Sequence, residues 1–262
     1  MTIEFYKYHG NGNDFIIIDE WEKSYDFDKK RISLLCDRHF GIGADGLIRL
    51  SKSETADFVM RYYNSDGNLA SMCGNGGRCI ASFAFEHGYG GKEMRFEAYD
   101  GIHKASVIKV LKPGKENYIS LRMNDVTNIS KKGKYYFLDT GSPHYVEFVK
   151  DVENTDVVNR GKSIRYDKRF APGGTNVNFV EIKDKRLFVR TYERGVENET
   201  LSCGTGVTAA NIAAYLETGM KNFETITKGG SFSVNFETVN NVFENVFLTG
   251  AATFVFKGVI NI

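Results

Sequence analysis

Cysteine, proline and tryptophan are scarce: four, three and one residue respectively in a chain of 262. Four thiols (Cys36, Cys73, Cys79 and Cys203) are too few for a disulfide scaffold, and no Cys-x-x-Cys pair marks a dithiol redox motif. Cys79 falls six residues after Cys73, with His87 and His103 scattered beyond, which is not zinc spacing, so no metal site is expected. No run of about 18 uninterrupted apolar residues occurs, and the opening MTIEFYKYHG has no continuous apolar segment. Neither a membrane span nor a secretory leader is expected. Charge of one sign is missing too: 34 basic residues face 33 acidic ones, the net charge is +1, and no long single-sign run exists. Nucleic acid and anionic membranes are therefore excluded as expected partners. A soluble, cytoplasmic protein with reduced thiols follows, long enough for one large or two modest cores.

What is present is one stretch used twice. Residues 60 to 85 read MRYYNSDGNLASMCGNGGRCIASFAF and residues 189 to 214 read VRTYERGVENETLSCGTGVTAANIAA. Each copy runs strand, polar loop, Cys-Gly-x-Gly, apolar helix. Arg61-Tyr62-Tyr63-Asn64 answers Arg190-Thr191-Tyr192-Glu193, and Cys73 answers Cys203. The interval from Asn64 to Cys73 is 73 − 64 = 9 and from Glu193 to Cys203 it is 203 − 193 = 10, a difference of one inserted residue. The reading is two lobes of like construction, each offering one thiol at the start of a helix.

A helix start gathers unpaired N–H groups and the positive end of the macrodipole, so each loop favours a thiolate and can hold an anionic group beside it. Bringing a thiol from about 8.5 to about 7 takes roughly 2 kcal/mol, near the upper limit for a partly buried helix end. An isolated cysteine in such a place is ordinarily a small core residue. Two equivalent cysteines in two equivalent glycine-rich loops instead suggest a thiolate and a thiol serving a shared cleft. That pair suits a reaction needing a base on one face of a carbon and an acid on the other. Cys36 in KKRISLLCDRH shares a helical face with Ile32, Leu35 and His39 and is expected in a core; Cys79 lies about 240° around its helix from the start and points elsewhere.

Several segments, in order along nearly the whole chain, carry a resemblance. HGNGNDFIIID (9 to 19), DRHFGIGADGL (37 to 47), YYNSDGNLASMCGNGGRC (62 to 79), GSPHYV (141 to 146), GTNVNFVE (174 to 181) and RTYERGVENETLSCGTG (190 to 206) resemble the successive signature blocks of diaminopimelate epimerases. The resemblance implies an α+β fold of two pseudo-symmetric lobes, each a mixed sheet or barrel wrapped around a central helix, with the active site in the cleft between them. It implies a cofactor-independent isomerase that interconverts LL- and meso-2,6-diaminopimelate for lysine and peptidoglycan precursors. Cys73 and Cys203 would exchange the α-proton, His144 and Glu193 would be helper bases, and no pyridoxal phosphate would be needed. Substrate contacts implied by it are Asn13, Asn64, Gly74, Asn75, Asn176, Glu193, Arg194, Gly204 and Thr205, with Arg194 clamping a distal carboxylate. A homodimer is implied as well. Two positions depart from the pattern: Ser142 stands where the family usually has an Asn that binds the substrate's distal end, and Gly46 where some members carry a substrate-binding Gln.

In chain order, alternation and turn residues predict strands over residues 3–8, 15–18, 57–63, 94–99, 103–111, 118–123, 135–139, 144–149, 177–182, 187–192, 232–236, 246–249 and 253–260. A further short strand is expected after the loop at residues 41–46, where Gly41-Ile42-Gly43 lacks the third glycine and the following helix of a dinucleotide loop. Helices are expected over 29–38, capped by Asp28, over 76–87, and over 205–216 ending at Gly219. Lys112-Pro113-Gly114-Lys115 is the most linker-like stretch, which places lobes at residues 1–117 and 118–250, with a last strand at about 251–262 returning to the first. Gly173-Gly174-Thr175-Asn176 resembles the early Gly12-Asn13-Asp14-Phe15 turn, a further hint of duplication. The competing readings are a cofactor-independent racemase of another amino acid, which Ser142 and Gly46 keep open, and a non-catalytic anion-binding or dithiol redox protein.

Overall fold

A computed structural model describes residues 2–240 and 242–261. The chain divides into two compact units, Met1–Leu121 with Gly250–Ile262, and Arg122–Thr249. The division falls beyond the Lys112–Lys115 turn because the strand after that turn stays paired with its predecessor as far as Leu121.

In order, the first unit contains β1 (Thr2–Gly10), β2 (Asn13–Asp19), α1 (Lys29–Cys36), β3 (Gly46–Ser51), β4 (Phe58–Asn64), β5 (Leu69–Ala70), α2 (Gly74–Glu86), β6 (Glu93–Ala98), β7 (Gly101–Lys112) and β8 (Glu116–Arg122). The chain continues through β9 (Ile129–Lys132), β10 (Tyr135–Asp139), β11 (Pro143–Phe148), α3 (Val157–Arg165), β12 (Asn176–Lys183), β13 (Arg186–Glu193), β14 (Asn198–Thr200), α4 (Gly204–Thr218), β15 (Glu224–Thr227), β16 (Gly230–Val239) and β17 (Val242–Asn261). The strands expected at 246–249 and 253–260 are thus one continuous strand.

In the first unit the pairings close on themselves: β1–β2 antiparallel, β2–β3 parallel, β3–β4 antiparallel, β4–β6 parallel, β6–β7, β7–β8, β8–β17 and β17–β1 antiparallel. A closed ring has no open edge to protect. Helix α2 runs within it, and every residue from Gly74 to Ala84 is buried. This explains an apolar helix with almost no polar face. Helix α1 begins at an Asp28 cap, whose side chain accepts the Arg31 N–H at 2.8 Å, and packs Ile32, Leu35 and Cys36 into a core with Ile3, Phe5, Ile16 and Leu47. His39 does not join that face: the helix stops at Cys36 and His39 is exposed.

The second unit repeats the order of elements. β10–β11 and β12–β13 are antiparallel, while β11–β12 and β13–β15 are parallel. Each parallel pair needs a crossover, and α1 and α3 supply the first in each unit as α2 and α4 supply the second. Helix α3 was not among the expected helices. Its apolar content is low, but Asp156 caps it by accepting the Asn159 N–H, and Gly161 lets it lie directly on β13, where an added Cβ would stand 2.4 Å from Tyr192 Cβ. Helix α4 is buried at Gly204 and from Gly206 to Ala214, and ends at Gly219 in the left-handed conformation with φ 72°.

Candidate active site

Strand registers make the internal duplication residue-specific. Phe15 faces Gly46, and Gly46 faces Asn64; in the second unit His144 faces Asn176, and Val177 faces Tyr192. His144 therefore occupies the place of Phe15, Asn176 that of Gly46, and Ser142 that of Asn13. The likeness of Gly173-Gly174-Thr175-Asn176 to Gly12-Asn13-Asp14-Phe15 is accordingly a coincidence of turn chemistry; the counterpart of the early turn is Gly141-Ser142-Pro143. Lateral pairing to β5 and β14 puts each cysteine four residues beyond equivalent positions, Leu69 opposite Tyr63 and Glu199 opposite Tyr192.

Cys73 is the N-cap of α2 and Cys203 the N-cap of α4, both extended in backbone and neither capping with its side chain. The sulfur at each position is left to other work while the first-turn amides and the helix dipole lie beside it. Cys73 is partly exposed and Cys203 buried. Cys36 and Cys79 differ: burial pushes the Cys36 thiol up to about 12 and raises that of Cys79 further, so both are inert core thiols at neutral pH.

Around Cys73 the sequence-expected residues Asn13, Gly74 and Asn75 come together. Cys73 Sγ lies 3.7 Å from Asn13 Oδ1, which also accepts Asn75 Nδ2 at 3.2 Å. Asn13 Nδ2 donates to Asp45 Oδ2 at 2.6 Å, and Asp45 shares Arg38 with Asp14. Lys7 bonds Asp14 and the Gly43 carbonyl. Burial would raise the Asp14 carboxyl, but hydrogen bonds from Arg38 and Lys7 outweigh it and hold Asp14 well below the usual carboxylate range. These charges orient Asn13 and were not anticipated from sequence; the Asn-Asp-Phe turn facing Asp45 gave a signal only once β2 and β3 were paired. Arg78 is fully buried five residues into α2 and bonds Asn75 Oδ1 at 2.8 Å, Asn11 Oδ1 at 3.0 Å and the Gly74 carbonyl at 3.3 Å. Burial pulls its guanidinium down to about 10, against the attraction of the thiols at Cys79 and Cys73. Asn64, expected as a substrate contact, is the exposed last residue of β4. At Gly46 the Tyr62 ring fills the space, with Cε2 2.5 Å from where a Cβ would stand.

Around Cys203, His144, Asn176, Thr205 and Arg194 come together. Thr205 Oγ1 is 3.4 Å from Cys203 Sγ and 3.4 Å from Ser142 Oγ, which lies 3.1 Å from His144 Nε2. Asn176 Nδ2 donates to Ser142 Oγ at 3.0 Å and to the Pro143 carbonyl at 3.1 Å, while its Oδ1 accepts the Arg194 N–H at 2.8 Å. His144 is completely buried, and its Nδ1 faces Asn178 Nδ2 at 3.0 Å. Desolvation first, and the positive Arg194 second, push the imidazole down to about 3, so it is neutral at physiological pH. Glu193 ends β13, half-buried. Asn178 and Thr191, joined at 2.9 Å, were missed by sequence reasoning. The Asn-x-Asn spacing at 176 and 178 was the available signal, since alternate residues of a buried strand share a face.

Among the described residues no cluster of three or more His, Cys, Asp or Glu is placed to hold a metal ion, and no helix is long and apolar enough to cross a membrane. Solved structures share the fold: a PhzF-family phenazine biosynthesis protein of Bacillus anthracis matches with a TM-score of 0.77 at 16% identity, covering all of both chains. A hydroxyproline epimerase of Agrobacterium vitis matches with 0.67 at 16% identity, over 99% of this chain and 92% of that one. In sequence, diaminopimelate epimerase of Flavobacterium psychrophilum is 46% identical over 98% of this chain and 100% of its own length. That of Aquifex aeolicus is 40% identical over 98% and 97%. The family model for diaminopimelate epimerase matches residues 5–125 and again 136–255, one match for each copy of the duplicated architecture. With two thiols at equivalent helix starts and this likeness along its full length, the chain belongs to the diaminopimelate epimerase family.

Proposed function

We propose that the protein interconverts LL- and meso-2,6-diaminopimelate by moving the α-proton with Cys73 and Cys203, one acting as thiolate and the other as thiol. The observation that carries this reading is the placement of both cysteines as N-caps of buried helices in matching strand registers. The first-turn amides of Gly74, Asn75, Gly204 and Thr205 offer hydrogen bonds to an α-carboxylate, where they stabilise the charge that develops as the proton leaves. Arg194 supplies a planar fork for a distal carboxylate, and Asn64, Asn176 and Glu193 complete the polar surroundings of the substrate. His144 acts as a neutral group, since burial and Arg194 oppose its protonation. The proposal extends to a cytoplasmic homodimer; exposed Val255, Phe256 and Val259 on β17 offer apolar surface for a second copy.

The test is incubation in deuterium oxide with LL-diaminopimelate and, separately, with single amino acids, read by mass spectrometry. Deuterium at the α-carbon of diaminopimelate with formation of the meso isomer is expected. Uptake only into a different amino acid would reassign the substrate. Replacing either cysteine by Ala is expected to lower the inversion rate by about a thousandfold or more, as loss of a positioned acid or base requires.

A further inference from the structure

The polar groups around Cys203 have their hydrogen-bond directions set by backbone atoms that can play only one role. Arg194 N–H is a donor, so the Asn176 oxygen accepts it and the Asn176 nitrogen must donate to Ser142 Oγ. The Tyr145 carbonyl is an acceptor and takes Asn178 Nδ2 at 2.9 Å, which fixes that amide as well. The same nitrogen then donates to His144 Nδ1, so the imidazole proton sits on Nε2 and points at Ser142 Oγ. With donors from Asn176 and His144 filling both lone pairs of Ser142, its single O–H is directed at Thr205 Oγ1, whose own O–H is then available to donate to Cys203 Sγ, 3.4 Å away.

We propose that Ser142 and Thr205 are positioning residues that pass a one-way row of hydrogen bonds from the His144 N–H to the Cys203 sulfur and stabilise its thiolate. The inference rests on the assignment of Cys203 as a proton-transferring thiol. No proton crosses the row and no bond is made; each donor polarises the next, and the last one meets the charged sulfur, where a hydrogen bond is strongest. Histidine serves here as the far donor of the row and not as a base taking the cysteine proton. Titratable side chains where β10 and β13 end and β11 begins include His144, Glu193, Arg194 just beyond β13, and the exposed Asp139, whose Oδ1 accepts the Gly141 N–H; Tyr135, Lys183 and Arg186 lie at the opposite strand ends. In the first unit Asn13, at the place of Ser142, presents its oxygen to Cys73.

The experiment is a thiolate absorbance titration of the full chain carrying Cys73→Ala, alone and combined with Ser142→Ala or Thr205→Val. Cys36 and Cys79 stay protonated below about pH 10, so the signal in this background reports Cys203. Either replacement is expected to raise the midpoint by about one on the pH scale, a tenfold loss of thiolate below it. Thr205→Ser is expected to keep the parent midpoint, as is Thr208→Val, whose hydroxyl bonds the Gly204 carbonyl outside the row. Midpoints in Ser142→Ala and Thr205→Val that coincide with the parent would overturn the proposal, as would equal shifts in Thr208→Val. Since no substrate is present, this outcome is independent of whether diaminopimelate is turned over.

Discussion

The floors beneath the two central helices are built from equivalent positions and opposite chemistry. Under α2 lie Phe15, Ile48 and Met60, which an added Cβ on Gly76 would touch at 3.3 to 3.5 Å. Under α4 the equivalents of Phe15 and Ile48 are His144 and Asn178, and an added Cβ on Gly206 would stand 2.4 Å from Asn178 Oδ1. Farther along the helices the polarity reverses. Arg78 in α2 is answered by Thr208 in α4, both fully buried and both bonded to the carbonyl of the glycine that follows the cysteine. One thiol thus has a buried cation on its own helix and an apolar floor, while the other has a neutral helix and a polar floor. Duplication preserved the backbone that places a sulfur at a helix start and left its electrostatic support free to diverge.

Acid should break this comparison most strongly. Between pH 6.5 and about 3 the unfolded chain binds a proton on His144 that the folded unit excludes. Above the upper value the group costs the folded state nothing, and stability is lost as pH falls to the lower, on the order of 5 kcal/mol in all. Asp14 in the first unit behaves oppositely in range, with its contribution intact above about pH 4 and lost only below it. Urea unfolding across this interval is expected to show a pH slope that His144→Gln removes; equal slopes in the two proteins would refute it. Next in size, Arg78→Leu removes the buried guanidinium that bonds the Asn75 and Asn11 oxygens and is expected to cost about 3 kcal/mol, whereas Thr208→Val at the matching position costs about 1. Equal losses in paired denaturant titrations would mean that the buried cation has no special role. The smallest contrast is in the floor itself: Asn178→Ile copies the first unit but deprives His144 Nδ1, the Tyr145 carbonyl and Thr191 of their partner. It should cost about 2 kcal/mol by the same measurement.

Much of the fold was readable from periodicity. Strands at 135–139 and 187–192, the Asp28 cap and the Gly219 stop fall where alternation and turn chemistry put them. Helix α3 was not, because VVNRGKSIR buries only Val157 and Gly161 and so carries little apolar rhythm. The parallel pairing of β11 with β12 demands a crossover there, and only the completed sheet states that demand. In the site, both cysteines were found because each sits in a local motif. Asn178, Thr191 and Arg38 escaped because what they do depends on partners from other strands and loops.

The order of residues alone determined the duplication, the family and the position of each thiol just before a helix, since these depend on neighbours along the chain. Tertiary structure decided that His144 is neutral, that Asn13 is held by Asp45, and that Ser142 and Thr205 stand in a row between His144 and Cys203. Burial sets the first. The others follow from amides and carbonyls that strand register brings within hydrogen-bonding distance, and register is a property of the folded sheet.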